Sequence, residues 1–431
     1  MIRLAPLSLV LLALVSVLGV VQLWQPQAGP PIWRYLGLIY LAGLLYEWLR
    51  VRRVPLTLSA GAQRQLSLGV PETLDLMLHN ADLRPRMIEY ALELPPEVDL
   101  VSGQGRAQVE AGGEQTLHAT VLGQSLGNFA LLPVPLRVRG NLGLAWWPKR
   151  LSVDMALVVI PDARRVSLAP SSRHPSGTVQ SAAGHAVEIY QQRDYQPGDA
   201  LRAINWKATA RNQKLITRVY SEETRPSIFI VLDIGRTSFT RIQGLAQFGH
   251  YVNLAATFAG AAIAAGEDVG LIVAAGAPQV LLPPSRGEKA MTQFNRALRQ
   301  LRPALEETDL MALSLQVDQA AKTRSLIVLC TDLYNNRIEG DLGRALALWS
   351  RRHQPLLVGL VGEQVYALSQ EAARSDREAY NSLAAAEYCR GLEATGQAAR
   401  RSGARVVISS PGELNQGVMS EFLRLRAQRR I

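Results

Sequence analysis

The chain has 431 residues, a size that predicts two or three domains, and its 48% hydrophobic and 19% charged residues exclude a disordered polymer. A formal net charge of +10 favours anionic partners: nucleic acid, acidic proteins or an anionic lipid surface. The two cysteines, Cys330 and Cys389, lie far apart with no CxxC and no Cys/His cluster, which argues against a disulfide framework and a zinc site.

Two apolar runs open the chain, Leu4 to Leu23 and Ile32 to Leu49, separated by the turn-rich QPQAGPP. At ~1.5 Å per residue the second covers roughly 27 Å, which predicts a transmembrane helical hairpin over residues 1–53. Trp24, Trp33, Tyr35, Tyr46 and Trp48 cluster at the run ends, where interfacial aromatics belong. Arg3 precedes the first run and Arg50, Arg52 and Arg53 follow the second, so the positive-inside rule places both termini in the cytoplasm. The expectation is a multi-pass protein of the cytoplasmic membrane, in contact with its lipids, with most of the chain on the cytoplasmic side.

Residues 54–162 alternate as strands do, for example Leu74, Leu76 and Leu78 in TLDLMLHN, with Gly and Pro at short intervals. This predicts an antiparallel β-sandwich. His79 and His118 are lone histidines on those strands and read as structural or exposed. Residues 163–225 hold a Ser/Pro/Gly-rich linker and then a dense stretch, RDYQPGDALRAINWKATARNQKLITR, from Arg193 to Arg218. In it Pro197 and Gly198 set a turn, and Asp199 can cap a short helix, ALRAINWKATARN. Two readings stay open. In a structural junction, Ile204 and Trp206 are buried and arginines pair locally; in a docking surface, the basic residues are exposed. A basic face alone is weak grounds for nucleic-acid binding, and none is expected.

From residue 226 to 431 short buried strands alternate with helices, which predicts a mostly parallel sheet covered on both faces. PQVLLPP follows VGLIVAAG after a tight turn and is expected to form an antiparallel edge hairpin. Ligands of open α/β sheets sit at the carboxyl ends of the strands, and two strands here end in aspartate, Asp233 and Asp332. D-I-G-R-T, from Asp233 to Thr237, resembles the adhesion-site motif D-x-S-x-S of von Willebrand factor A-like domains. That resemblance implies a hard cation, Mg²⁺, held by two hydroxyls, an aspartate and waters, with Asp233, Thr237 and Asp332 as candidates. Gly235 stands where the family has its first serine, and the remaining threonine is not placed by the sequence. The alternative is that both aspartates cap loops and bind nothing. No P-loop, HExxH, GxSxG or GxGxxG is present, so no enzyme is expected.

The stretch RDYQPGDALRAINWKATAR resembles the signature of a bacterial family, "domain of unknown function 58": an R-x-Y, a P-G-D, an R-x-I-x-W-K and an A-R ahead of a von Willebrand factor A-like fold. Carried over residue by residue, the signature comprises Arg193, Tyr195, Pro197, Gly198, Asp199, Arg202, Asn205, Trp206, Lys207 and Arg211; at Asn205 the family often has Asp. The resemblance implies a partner of MoxR-type AAA+ ATPases that assists assembly or activation of an unidentified client protein. The reading is therefore a membrane-anchored adaptor. Its alternatives are a structural envelope protein without an ATPase, or a hydrolase using Asp233 and Asp332.

Overall fold

The computed structural model describes residues 2–24, 31–163, 189–196, 204–220, 226–336, 338–371 and 374–428. Its contacts divide the chain into two units: Met1–Ala163 with Phe239–Ala256 and Asn295–Arg302, and Arg164–Ser238 with Thr257–Phe294 and Pro303–Ile431.

In the first unit, β1 (Arg3–Leu4) leads into α1 (Pro6–Trp24) and α2 (Ile32–Arg52). Strands follow: β2 (Leu56–Ser59), β3 (Gln63–Ser67), β4 (Pro71–Asn80), β5 (Arg86–Ala91), β6 (Val98–Ser102) and β7 (Gln104–Val109). The series continues with β8 (Glu114–Gly123), β9 (Gly127–Ala130), β10 (Val134–Arg139), β11 (Ala145–Leu151) and β12 (Ala156–Ile160). They build an antiparallel five-stranded sheet, β1-β11-β10-β5-β7, and an antiparallel four-stranded one, β2-β4-β8-β6. A three-stranded sheet, β3-β12-β9, pairs β3 with β12 in parallel, which the antiparallel expectation lacked. The period of two decides the faces: Leu74, Leu76 and Leu78 of β4 are buried while their neighbours face outward. His118 pairs with Asp75 at 2.7 Å on an exposed face.

The transmembrane expectation is overturned: no helix among the described residues is long and apolar enough to cross a membrane. α2 has 21 residues but carries Arg34 and Glu47 within it. The orientation and the multi-pass membrane localisation fall with the spans. Apolar side chains do face outward on both helices, Val10 and Ile39 among them.

Glu47 shows what ties α2 down. Its side chain is fully buried and accepts from the backbone N–H of Leu142 (2.7 Å), Leu144 (3.1 Å) and Ala145 (3.1 Å) and from Trp147 Nε1 (3.2 Å). A carboxylate out of water needs such donors, and here the turn before β11 and the first residues of β11 supply them. Gly140 leaves the room, since a Cβ there would lie 2.1 Å from the Glu47 carboxylate.

In the second unit, β13 (Ile189–Asp194), α3 (Trp206–Asn212) and β14 (Ile216–Tyr220) precede β15 (Ile228–Asp233) and a 3-10 turn, Arg236–Phe239. The short pair β16 (Arg241–Ile242) and β17 (Leu245–Ala246) returns to the first unit and leads into α4 (Gln247–Ala264). Then come β18 (Val269–Ala275), β19 (Ala277–Ser285), α5 (Glu288–Gln300), α6 (Leu310–Ala320) and β20 (Leu326–Cys330). The chain ends with α7 (Asp341–Ser350), β21 (Gln354–Leu360), α8 (Glu363–Gln370), α9 (Asp376–Arg401), β22 (Arg405–Ser409) and α10 (Leu414–Ala427). The main sheet has the order β19-β18-β15-β20-β21-β22, parallel throughout except for β19, which pairs antiparallel with β18 as the hairpin reading expects. Every residue of β15, β18, β20 and β21 is buried, which is why these strands read as continuous apolar runs. Phe229, Val231, Leu329, Trp349 and Leu357 fill one core. α8 is a separate helix ahead of α9, and β14 lies outside the main sheet, paired with β13 in a two-stranded hairpin.

His353, after α7, is buried, with Nε2 3.4 Å from Asp318 Oδ1. Burial holds its pKa below the usual value, against the opposing pull of Asp318. Two outcomes are expected. First, a neutral buried histidine stabilises the fold fully above the unfolded-state pKa of ~6.5 and loses that contribution as pH falls. Urea midpoints measured from pH 7.5 to 5 should drop, and His353→Gln should flatten part of the drop. Second, Glu47→Ala should cost ~3 kcal/mol or more in urea unfolding of the first unit, because several buried donors lose their acceptor together.

Candidate functional site

The signature hairpin has an inner and an outer side. Asn205 caps α3: its side chain accepts from Ala208 N at 3.3 Å, and its own N–H donates to Ile216 O at 2.7 Å. The Asp that the family often has here would accept in the same way, so the departure keeps the cap. Thr209 Oγ1 accepts from Ile216 N at 3.0 Å, and Tyr195 N donates to Leu215 O at 2.8 Å. Gln213 closes the helix in the left-handed region at φ 50°. Ile204 and Ile216 are buried beneath this network.

Trp206 corrects the junction reading: it is 66% exposed. It occupies the first position of α3, a helix with no buried residue. Leu215, 44% exposed, and the exposed Lys207, Arg211 and Lys214 accompany it. Among the described residues no acidic side chain forms an ion pair with these three cations. The helix also starts later than expected, at Trp206 under Asn205. Pro197, Gly198, Asp199 and Arg202 lie outside the described residues, and of Arg193 only the strand backbone is described.

The second candidate lies at the carboxyl end of the main sheet. Asp233 ends β15 and Asp332 follows the adjacent parallel strand β20, and both are buried. Asp233 Oδ1 accepts from Thr308 Oγ1 at 2.5 Å and from Gly235 N at 3.1 Å. Its Oδ2 accepts from Thr331 Oγ1 at 2.6 Å, and Asn336 Nδ2 lies 3.5 Å away. The Thr331 oxygen in turn accepts from Asn336 Nδ2 at 2.8 Å. Asp332 turns into its own loop, accepting from Tyr334 N at 2.9 Å, Asn335 N at 3.3 Å and Asn335 Nδ2 at 2.6 Å. Beside it Tyr388, stacked on Tyr334 at 4.6 Å, has its hydroxyl pKa pushed up to about 12 by burial first and the Asp332 charge second. A cavity of about 410 Å³ opens over Asp233, lined also by Arg236, Thr237, Glu307, Thr308, Asn336 and Asp341. Asp332 does not line it. Among the described residues no three His, Cys, Asp or Glu side chains are grouped to hold a metal ion.

With the hairpin placed before this sheet, the family can be read. Residues 191–375 match the profile described as "Protein of unknown function DUF58". This stretch is a DUF58 region. The chain is also 29% identical over 104 residues to "Uncharacterized protein YeaD" of Bacillus subtilis (strain 168), over 23% of this chain and 26% of that protein. The match thus spans about a quarter of the curated relative's length. Among solved structures, the conserved hypothetical protein BatB from Bacteroides thetaiotaomicron is similar at 16% identity, covering 46% of this chain and 98% of that one with a TM-score of 0.30. The SpRpn10 VWA domain is similar at 12% identity, 45% and 93% coverage and a TM-score of 0.29. At such scores the fold stands on its own strand order. That order, with the antiparallel strand at the β19 edge, is von Willebrand factor A-like.

Sequence reasoning missed Thr308, Thr331 and Asn336 in the DUF58 region. Thr331 was within reach, because it immediately precedes Asp332 at a strand end. Thr308 also had a signal: Asp309 is the N-cap of α6, accepting from Ala312 N at 2.8 Å, and strand–helix alternation puts the loop before that helix at the carboxyl end. Gly235 marks the tightest point of the site. A Cβ there would lie 2.7 Å from both Glu306 O and Thr308 Oγ1. Gly235→Ser, which restores the family's serine, should therefore destabilise the second unit by about 1–3 kcal/mol through overpacking, read as a lower urea midpoint.

Proposed function

We propose that the chain is a protein-interaction adaptor and that the outer side of its signature hairpin docks a MoxR-type AAA+ ATPase. The observation that supports this is Trp206, exposed among Lys207, Arg211, Lys214 and Leu215 on the capped helix α3 and the residues that follow it. A tryptophan facing water has no folding reason to be there, and buried tryptophans are prominent among interface hot spots. The surrounding cations suit an acidic partner surface, in line with the chain's net charge of +10. The hydrogen bonds beneath, from Asn205 and Thr209, pre-organise the surface so that little ordering is needed on binding. In this reading the ATPase acts on a client that the adaptor presents, and Asp233 and Asp332 take no part in turnover, because internal donors occupy both carboxylates.

The test is capture of a purified MoxR-type ATPase by the full chain. Trp206→Ala should leave the melting temperature within about a degree, as exposed substitutions do. It should weaken binding by about 2 kcal/mol or more, roughly thirtyfold in Kd. Lys207→Ala with Arg211→Ala should slow association and reduce its salt dependence. Capture unaffected by all three changes would refute this surface, and a domain unfolded by Trp206→Ala would return the residue to a structural role.

A further inference from the structure

We infer that the Asp233 carboxylate is an internal hydrogen-bond latch standing where von Willebrand factor A-like domains hold a cation, and that this end of the sheet works without a metal. The ground is the chemistry of the donors present. A cation site needs oxygens whose lone pairs converge on a shared point. Here Oδ1 and Oδ2 of Asp233 each accept a short hydroxyl hydrogen bond, from Thr308 at 2.5 Å and Thr331 at 2.6 Å. Oδ1 accepts a further bond from Gly235 N. The Thr331 oxygen accepts from Asn336, which takes up lone-pair capacity as well. Asp332, the second acidic candidate, is engaged by three donors of its own loop and does not line the cavity over Asp233.

The position of the family's first serine adds an independent argument. Gly235 offers no hydroxyl, and the space a side chain would enter is already filled by Thr308 Oγ1 and Glu306 O. Backbone bonds fix that close approach: Arg236 N donates to Glu306 O at 2.8 Å and Ala304 N to Ile234 O at 3.0 Å. Thr237 alone of the expected ligand set lines the cavity with Asp233. The other oxygens lining it are engaged elsewhere: Thr308 donates to Asp233, Glu307 pairs with Arg236 and Asp341 with Arg344, which leaves too few converging oxygens for a hard cation. The latch instead joins three loops, those after β15 and β20 and the one before α6, by direct contact.

The experiment uses the full chain, with the second unit's unfolding followed by calorimetry in EDTA, in 10 mM Mg²⁺ and in 10 mM Mn²⁺, and Mn²⁺ binding read by electron paramagnetic resonance. The expected result is the same melting temperature in all three conditions, free Mn²⁺ spectra, and a melting temperature lowered by several degrees for Thr308→Val already in EDTA. Thr308→Ser, which keeps the hydroxyl, should recover most of that loss. A cation bound a hundredfold above its dissociation constant would instead raise the melting temperature by about 5–10 °C. Such a saturable rise, with Mn²⁺ signal loss abolished by Asp233→Asn, would overturn the inference. So would a Thr308→Val variant as stable as the parent in EDTA. Neither result bears on the Trp206 surface, so the two proposals fail separately.

Discussion

Two threonine hydroxyls facing one buried aspartate set the geometry at the carboxyl end of the main sheet. Parallel strands leave their loops disconnected at this end, because each loop runs on into a crossover helix. Something has to hold the loops in mutual register. In this protein Asp233 accepts from the loop before α6 through Thr308 and from the end of β20 through Thr331. A carboxylate taken from water is costly unless its oxygens are met by donors, and the same donors that meet this need bind the loops together. The cavity floor therefore has fixed chemistry: neutral hydroxyls and amides around a charge that is already engaged.

The signature hairpin divides its labour differently. Ile204, Asn205 and Ile216 are buried, and Asn205 N donates to Ile216 O. Trp206, Lys207 and Arg211 face outward from the same seven-residue helix. Junction and surface are thus two sides of one element. A motif can be dense in distinctive residues because it must satisfy both sides within a few positions.

How much of this was legible follows from where the decisive partners lie along the chain. β15, β18, β20 and β21 read plainly because a strand buried on both faces is a local apolar run. Asp233 and Asp332 were located because strand ends carry ligands in such sheets. Their partners were harder: Thr308 lies 75 residues from Asp233, with a separation that no periodicity reveals. Glu47 is the sharper case. It sits in an apolar run that suggested a membrane span, and its four donors lie about 100 residues on. Trp206 misled for the opposite reason, since an aromatic on an amphipathic-looking segment is assigned to the core by default, whereas the capped geometry points it outward.

The pairing of β1 with β11 sets a constraint on the order of events in synthesis. Arg3 and Leu4 pair opposite Trp146 and Ala145, so β1 waits for a strand about 140 residues later. At ribosomal speeds of ~5–20 residues per second that delay is roughly 7–30 s, long compared with the time a helix takes to form. During it α1 and α2 exist without the turn that receives Glu47. The five-stranded sheet therefore closes at its β1 edge only once β11 has been made.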